Sequence, residues 1–323
     1  MHAGLEAYAG NALRNPDQDA RWKQIAKVLK KAKVVGPGVA RLRIEYAYSP
    51  LGRSLVEAGH CTGSRVYAIG VDPFKGWPKH MRGAAFHDMG WECDDDAAHP
   101  RAKLAMVPEG REITEQFLMH REEILQKVGT MLFSEEPCSG NRRDWAKRIF
   151  SAYDNDATLE GWARTAKRDP RGRTIRGLQI QVGQTRQEGA TTFKPEDYWK
   201  AQQRSSAWMW EHAGEELREF MRERYPTTGI RGMRLQWKSY VLQEAEAVSR
   251  EAKIGWALQR GVPVHSLQHD CVVVGRRGRN AADAAEGVAM AREMSRAASS
   301  KAGYGVRVTA KWAEELEAVL LVD

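Results

Sequence analysis

The chain has 323 residues, 42% hydrophobic and 28% charged, which is typical of a globular protein with one large domain or two to three lobes. No apolar run approaches the ~18 residues needed to cross a bilayer, and the first residues lack the pattern of a secretory signal. The four cysteines form no Cys-x-x-Cys pair, which argues against a zinc site or a disulfide scaffold. We therefore expect an intracellular protein in a reducing setting, with no membrane partner.

The charge balance favours an anionic partner. Lysine and arginine number 50 against 42 aspartates and glutamates, so the formal net charge is +8 at pH 7 with histidines neutral. Such a surplus is typical of nucleic-acid-binding proteins, although it also serves plain solubility. Eleven tryptophans add aromatic rings that stack bases in some such proteins and pack cores in most others.

The first part of the chain predicts a basic helix followed by strands. Residues 1–33 mix apolar side chains with lysines at helical spacing, and Gly36-Pro37-Gly38 ends this region. Residues 40–48 alternate charged and apolar side chains, which is typical of a half-buried strand.

Three consecutive aspartates, Asp94, Asp95 and Asp96, follow a short apolar segment and precede a predicted helix at 97–104. Adjacent carboxylates repel one another unless a cation lies nearby, so this cluster indicates a metal site. A polar turn with an aspartate helix cap is the simpler alternative, but it explains one of the three aspartates better than all of them.

Residues 107–230 differ in composition, since predicted helices are joined by a strongly polar stretch at 169–189 that is rich in glycine and glutamine. This indicates a helical lobe inserted between two sheet-forming halves. The predicted helices are 113–128, 142–153, 159–167 and 198–225. Within the second of these, Arg143 and Lys147 lie one turn apart on one face, with Phe150 and Tyr153 close by. Such a face suits a triphosphate and a base, while a surface charge pair is the simpler interpretation of the segment taken alone.

The last third predicts a long helix and then a hairpin. Apolar residues recur at 3.6-residue spacing from 233 to 259, with Gln243 among the polar residues around them. Residues 264–275 predict two strands meeting at a tight turn that carries His269 and Asp270. Such a turn holds a carboxylate on a rigid support, as a metal ligand requires, although aspartate also caps turns without further function. A helix at 280–301 and a strand at 306–312 follow.

This order of elements resembles the palm and fingers of family A-type DNA polymerases, in particular their small viral and mobile-element relatives. Motif A of those relatives, roughly Asp-x-x-Asn-Ala-His-Pro, is similar to the segment from Asp94 to Pro100, with Ala97 in place of the usual asparagine. Arg143 and Lys147 resemble the Arg-x-x-x-Lys of the fingers helix. Motif C is similar to 267–270, with Cys271 where many members have a second carboxylate.

The resemblance implies an α+β fold: a polymerase-type palm, built from an antiparallel sheet with helices, an inserted helical fingers lobe and a reduced thumb. The implied domains are a basic N-terminal helical region at 1–38, a first palm part with motif A at 39–106, a fingers-like insert at 107–232 and a second palm part with motif C at 233–323.

The same resemblance implies template-directed nucleotidyl transfer to a 3′-hydroxyl, with two Mg²⁺ or Mn²⁺ ions held by Asp94 and Asp270, and Asp95 as a third ligand. Glu92 and Asp96 are further candidate ligands. The implied partners are a primer-template and nucleoside triphosphates, with DNA as the expected product and RNA left open; no particular protein partner is indicated. The expected nucleotide contacts are Arg143, Lys147, Phe150 and Tyr153. The expected nucleic-acid contacts are Arg53, Arg82, His99, Gln243, His269 and Lys311.

Two other classes of protein compete with this interpretation. A metal-dependent HD-type phosphohydrolase would use His87-Asp88 or His269-Asp270, but that fold is all-helical and Val272-Val273-Val274 favours a strand. A non-catalytic nucleic-acid-binding protein would explain the charge and the tryptophans, but it leaves the aspartate cluster and the hairpin aspartate without a role.

Overall fold

The computed structural model describes residues 33–36, 39–41, 45–69, 90–134, 139–157, 177–183, 191–268, 270–275 and 281–311. Over these residues the protein is a mixed α/β fold with small antiparallel sheets, which confirms the predicted combination of helices with antiparallel sheet. The predicted features at 1–32, 77–88 and 159–176, together with Arg82 and His269, lie outside the described residues.

The helices and strands follow one another in this order: β1 (Lys33–Gly36), β2 (Val39–Arg41), β3 (Tyr46–Tyr48), α1 (Pro50–Glu57), β4 (Val66–Ala68), β5 (Trp91–Asp95), α2 (Ala98–Met106), α3 (Arg111–Met119), α4 (Arg121–Leu132), α5 (Ser139–Asp154), β6 (Ile180–Val182), β7 (Thr191–Phe193), α6 (Pro195–Glu211), α7 (Glu215–Arg224), α8 (Ile230–Gln259), β8 (Val264–Gln268), β9 (Cys271–Val274), α9 (Ala281–Ala302) and β10 (Val308–Lys311). None of the described helices is long and apolar enough to span a membrane.

The chain divides into two compact units. The first consists of 1–98 and 243–323, and the second of 99–242. The first unit is therefore discontinuous in sequence and is interrupted by the second. Helix α8 is continuous across the boundary at 242/243, so its first part belongs to the second unit and the rest to the first.

A four-stranded antiparallel sheet forms the centre of the first unit, with the strand order β10-β5-β9-β8. All four residues of β9 are buried, as expected for a central strand covered on both faces. Strands β8 and β9 pair from Val264↔Val274 to Gln268↔Cys271, so only two residues connect them, as the hairpin pattern predicts. The position before β5 requires glycine, Gly90, because a Cβ atom there would lie 2.4 Å from the Val274 carbonyl oxygen.

The core of the first unit lies between this sheet and the helices α8 and α9. Trp91 and Cys93 of β5 and Val272 and Val274 of β9 face Trp256 and its neighbours on α8. Alanines and methionines of α9 complete the cluster, and the small alanine side chains let the helix backbone approach the sheet. Helix α9 and strand β10 occur within one or two residues of the predicted bounds.

An aromatic cluster forms the core of the second unit. The Phe150 ring lies 4.9 Å from the Phe117 ring and 5.6 Å from the Tyr198 ring, measured between centroids. Phe193 of β7 and Tyr153 contact the same group. Phe150 and Tyr153, predicted to lie near a base, are only 2% and 3% exposed and pack in this core instead.

Buried ion pairs tie the helices of the second unit together. Lys103 of α2 donates to Asp154 of α5 over 2.7 Å, and Lys238 of α8 donates to Asp156 over 2.6 Å. Both ammonium groups are almost fully buried. Burial is the main reason that the pKa of Lys238 falls to about 8, although Asp156 opposes the shift.

Two predicted helices are each divided in the structure. The helix predicted at 113–128 is α3 and α4, which meet at His120, and the helix predicted at 198–225 is α6 and α7, separated at 212–214. In the first case both helices present apolar side chains to the same core, so helical periodicity continues across the break. The strand predicted at 40–48 is likewise two strands, β2 and β3.

Replacing Phe150 by alanine is expected to lower the free energy of unfolding by roughly 3–5 kcal/mol, because it leaves a cavity among packed rings. Denaturant unfolding measures this change. Met119 of α3, which is 71% exposed, provides the control: Met119→Ala is expected to change stability by less than about 0.5 kcal/mol. If Phe150→Ala instead keeps wild-type stability but binds nucleotide more weakly, the Phe150 ring contacts the nucleotide as the sequence predicted.

Candidate active site

The ends of β5 and of the β8–β9 turn meet at one edge of the four-stranded sheet. Strands β5 and β9 are antiparallel, with Trp91↔Val274 and Cys93↔Val272 as partners. Asp94 follows the last of these pairs along β5, and Asp270 immediately precedes β9. The two aspartates are therefore brought to the same edge, and the Asp94 charge acts directly on Asp270.

Alternation along β5 separates the neighbouring acidic residues onto two faces. Trp91, Cys93 and Asp95 share the face that packs against α8 and α9, while Glu92 and Asp94 share the other. Asp95 thus points into the first unit, whereas Asp94 does not. Asp94 and Asp95 are adjacent in sequence, but their side chains lie on opposite faces of the strand and have different surroundings.

On the second of these faces, Lys311 of β10 bridges two carboxylates. Its ammonium donates to Asp94 Oδ2 and, over 2.8 Å, to Glu92 Oε1. Burial opposes the charged form, but the two carboxylates together raise the pKa of Lys311 above its ordinary value. Lys311, predicted as a nucleic-acid contact, therefore lies within the carboxylate cluster, and Glu92 is only 1% exposed.

On the packed face, Lys253 of α8 holds Asp95. The Lys253 ammonium donates to Asp95 Oδ1 over 2.7 Å and to the backbone carbonyl oxygen of Asp270. Burial raises the pKa of Asp95 and Lys253 partly offsets this. Asp95, predicted as a third metal ligand, is thus committed to an ion pair within the first unit.

Asp270 differs from its neighbours in its charge balance. Among the contacts of the described residues, no hydrogen bond joins a cationic side chain to its carboxylate. Burial, followed by repulsion from Asp94 and Glu246, raises the pKa of Asp270 to about 8. Lys253 lowers this pKa only in part, and Arg65 and Arg250 also interact with Asp270, so the nearby cations do not outweigh burial and the neighbouring negative charges.

A second group of charges lies close to Asp270 and joins α8 to the loop 61–65. Arg65 donates to both oxygens of Glu246, over 2.5 and 2.6 Å, and Arg250 donates to the Ser64 carbonyl oxygen over 3.1 Å. Gln243, predicted as a nucleic-acid contact, accepts from the Ser64 hydroxyl over 3.3 Å and is buried. This side chain therefore helps to hold the loop 61–65 against α8.

Of the α8 residues in this group, only Gln243 was predicted from the sequence as part of the site. Gln243, Glu246, Arg250 and Lys253 are spaced by three, four and three residues, so they form one stripe along the helix. All four are buried, whereas Val241, Ala245 and Val248 of the predicted apolar face are only half-buried. The sequence shows these residues as a polar stripe at helical spacing, but such a stripe ordinarily indicates a solvent-exposed helix face.

Divalent cations would find oxygen ligands at this edge, although the described residues contain no group of three or more histidine, cysteine, aspartate or glutamate side chains arranged to hold a metal ion. Asp94 and Asp270 supply hard carboxylate oxygens of the kind that Mg²⁺ and Mn²⁺ prefer. Cys271 does not supply a further ligand for such ions, because burial raises the pKa of its thiol well above the ordinary value.

The predicted nucleotide contacts lie on α5 in the second unit. Arg143 makes a bidentate pair with Glu122 of α4, over 2.6 and 2.8 Å, and a further contact with Asp144. The hydrogen bond to Glu122 is the main reason that the pKa of Arg143 is raised. Lys147, one turn further along, is exposed. Of the remaining predicted contacts, Arg53 is exposed on α1 and His99 is half-buried on α2.

The turn between β5 and α2 contains backbone strain. Ala97 has a φ of 52°, in the left-handed region that alanine avoids and that asparagine visits more readily. The preceding Asp96 donates its backbone N–H to the Arg307 carbonyl oxygen over 2.7 Å, which anchors the turn to the chain ahead of β10. The strained residue thus lies just beyond the aspartate cluster.

Replacing Ala97 by asparagine is expected to raise the free energy of unfolding by about 1 kcal/mol, because asparagine tolerates the left-handed backbone. Thermal or denaturant unfolding measures the change. Ala105→Asn, at an exposed position within α2, is the control and is expected to lower stability by about 0.7 kcal/mol through helix propensity. Equal destabilisation by both substitutions would show that strain at Ala97 contributes nothing.

Comparison with known proteins finds a similar fold but no sequence relative. No protein family's sequence model matches the chain, and no curated protein matches it. A solved structure described as the POL domain of Pol1 from M. smegmatis in complex with DNA primer-template and dNTP is similar, with a TM-score of 0.53 at 11% sequence identity. The match covers 88% of this chain and 49% of that one, so this protein spans about half the length of the matched chain.

Proposed function

We propose that this protein is a template-directed nucleotidyltransferase, and specifically a DNA polymerase, that extends a primer 3′-hydroxyl at the edge of the sheet where Asp94 and Asp270 meet. One observation carries the proposal: the Asp270 carboxylate has a pKa raised to about 8 and lies beside Asp94 at the ends of adjacent strands. The similarity in fold to a DNA polymerase domain supports the choice of reaction class.

In this proposal Asp94 and Asp270 are the residues that hold Mg²⁺ or Mn²⁺. A divalent cation would add positive charge beside the Asp270 carboxylate, and it would displace Lys311 from its pairing with Asp94. Two such ions, when bound, would lower the pKa of the attacking hydroxyl and stabilise charge on the phosphates. Lys311, once displaced, remains available as a cation for a phosphate of the substrate.

The proposed substrates are nucleoside triphosphates and a primer-template. Lys147 is the proposed contact to the triphosphate, because its side chain is exposed on α5. Arg143 supports that helix face through its bidentate pair with Glu122. Phe150 and Tyr153, being buried, receive a packing role in this proposal. Arg53, exposed on α1, is a proposed contact to the nucleic-acid backbone.

Asp270→Asn is expected to abolish primer extension while leaving duplex binding intact or slightly tighter, since it removes a metal ligand and a negative charge. In the wild type, Mg²⁺ at a hundred times its dissociation constant is expected to add about 2.7 kcal/mol of stability, and the variant should lose most of this gain. A gel-based extension assay, a binding titration and thermal unfolding with and without Mg²⁺ measure the three effects.

The matched control is Glu57→Gln, which removes one negative charge from an exposed position on α1 and should leave all three measurements unchanged. Duplex binding without extension in the wild type, under any combination of template and nucleotides, would indicate a non-catalytic nucleic-acid-binding protein. Unchanged extension by Asp270→Asn would exclude this aspartate as a ligand.

Lys147→Ala is expected to lower the rate of single-nucleotide incorporation and to raise the nucleotide KM, at a total cost of about 2–4 kcal/mol in transition-state stabilisation. Affinity for the primer-template should barely change. Lys200→Ala is the control, because Lys200 is another exposed helical lysine of the second unit and pairs only with Glu196 four residues earlier among the described residues. Wild-type kinetics for Lys147→Ala would show that the lysine belongs to a surface pair.

A further inference from the structure

A fully buried ammonium connects the two strand ends of the candidate active site. The Lys253 side chain is 0% exposed and extends from α8 beneath the sheet. It donates one hydrogen bond to the Asp95 carboxylate and one to the backbone carbonyl oxygen of Asp270. The first acceptor lies at the end of β5 and the second in the β8–β9 turn, so one group contacts both segments.

Neutralisation of Asp95 alone does not account for this arrangement. Burying an ammonium and a carboxylate costs several kcal/mol in lost hydration, and the attraction between them often only offsets that cost. A pair of apolar side chains of similar volume would fill the same space beside Ala252 and Trp256 at no greater cost. The ion pair therefore adds little to stability, and what distinguishes it from apolar packing is its two directed hydrogen bonds.

The second acceptor of the Lys253 ammonium, the Asp270 carbonyl oxygen, identifies the β8–β9 turn as the segment that Lys253 holds. The Asp270 carbonyl belongs to the two-residue connection between β8 and β9, beyond the last ladder pair, Gln268↔Cys271. The Asp270 backbone also lies beyond the last β5–β9 pair, Cys93↔Val272, so the strand ladder does not hold it directly to β5. Lys253 donates a hydrogen bond to it and so connects it to Asp95, the residue adjacent to Asp94.

The same ammonium consequently sets the distance between the two carboxylates proposed to share metal ions. Asp94 immediately precedes Asp95 in β5, and its side chain lies on the opposite face of the strand. The hydrogen bond from Lys253 to Asp95 therefore also restrains the backbone that carries Asp94. The Asp270 side chain leaves the same residue whose carbonyl Lys253 holds. Displacements of about 1 Å in such a constellation can cost on the order of 100-fold in rate.

We infer that Lys253 is a positioning residue of the proposed reaction: by bridging Asp95 and the Asp270 backbone it holds Asp94 and Asp270 at the separation that shared divalent ions require. This inference rests on the proposed function. Lys253 contacts neither substrate nor metal in it, and Asp95 acts as the anchor for Lys253.

Three variants separate positioning from charge neutralisation. Lys253→Met keeps the length of the side chain but removes the donor and leaves Asp95 buried without its partner, so it is expected to lower the Tm. Asp95→Asn/Lys253→Met removes both charges, which should restore most of the Tm. Asp95→Asn alone keeps the donor to the Asp270 carbonyl. Lys301→Met, which breaks an exposed pair with Glu251, is the matched control.

The variants are compared by thermal unfolding, by Mn²⁺ binding followed with electron paramagnetic resonance, and by single-nucleotide incorporation, with each assay run at the same interval below each variant's Tm. The double variant should regain the Tm yet show a kcat roughly 10- to 100-fold below wild type, a nucleotide KM within about twofold and weaker Mn²⁺ binding. Lys301→Met should keep kcat within about threefold of wild type, and Asp95→Asn, whose amide oxygen can still accept from Lys253, should give a kcat between those of the wild type and the double variant.

The outcomes distinguish this inference from the proposed function. A double variant that regains both Tm and kcat would show that Lys253 only neutralises Asp95, and the inference would be overturned. Should the double variant not fold, equal kcat values for Lys253→Met and Asp95→Asn would overturn it in the same way. A wild-type protein that neither binds Mn²⁺ nor extends a primer would instead refute the proposed function.

Discussion

The balance of buried charge at one end of a four-stranded sheet is the constraint on which the rest of this site depends. Carboxylates crowd that end, and each needs a cation or a proton. Lys311 forms ion pairs with Asp94 and Glu92, Lys253 pairs with Asp95, and Arg65 pairs with Glu246. Asp270 is left with a raised pKa. A carboxylate whose pKa stays raised despite nearby cations, at the meeting point of two strands, is a physical reason to expect a divalent cation as an additional partner.

Helix α8 carries two stripes of side chains, and its polar stripe supplies Lys253, while Lys311 and Arg65 belong to β10 and to the loop 61–65. Its apolar stripe packs against the sheet through Ala252 and Trp256. Its polar stripe is covered by the loop 61–65, whose contacts to Glu246 and Gln243 close over the helix. A single helix thereby supports the strands, orients Arg65 towards the carboxylate cluster and places Lys253 beneath the turn that bears Asp270.

The similarity to a polymerase domain and the local chemistry of the site support each other. At 11% identity the likeness itself concerns only the fold, and the proposed reaction combines that fold with the aspartates at the sheet edge. Two departures from the motif pattern have physical consequences. Ala97 adopts a backbone conformation that suits asparagine better, and Cys271 is a buried, protonated thiol where a further carboxylate would add a ligand.

The sequence by itself determined the elements whose signals are local. Periodicity placed α8 and α9, and β-branched residues around a short polar turn placed the β8–β9 hairpin with Asp270 at its tip. Only the tertiary structure decided that Asp95 turns inward to Lys253, that Phe150 and Tyr153 lie in a core, and that the polar stripe of α8 is buried. These outcomes depend on strand register and on contacts between residues far apart in sequence, such as Arg65 and Glu246, which are 181 positions apart. A single sequence carries no local signal for such contacts, because the same polar stripe is equally compatible with water.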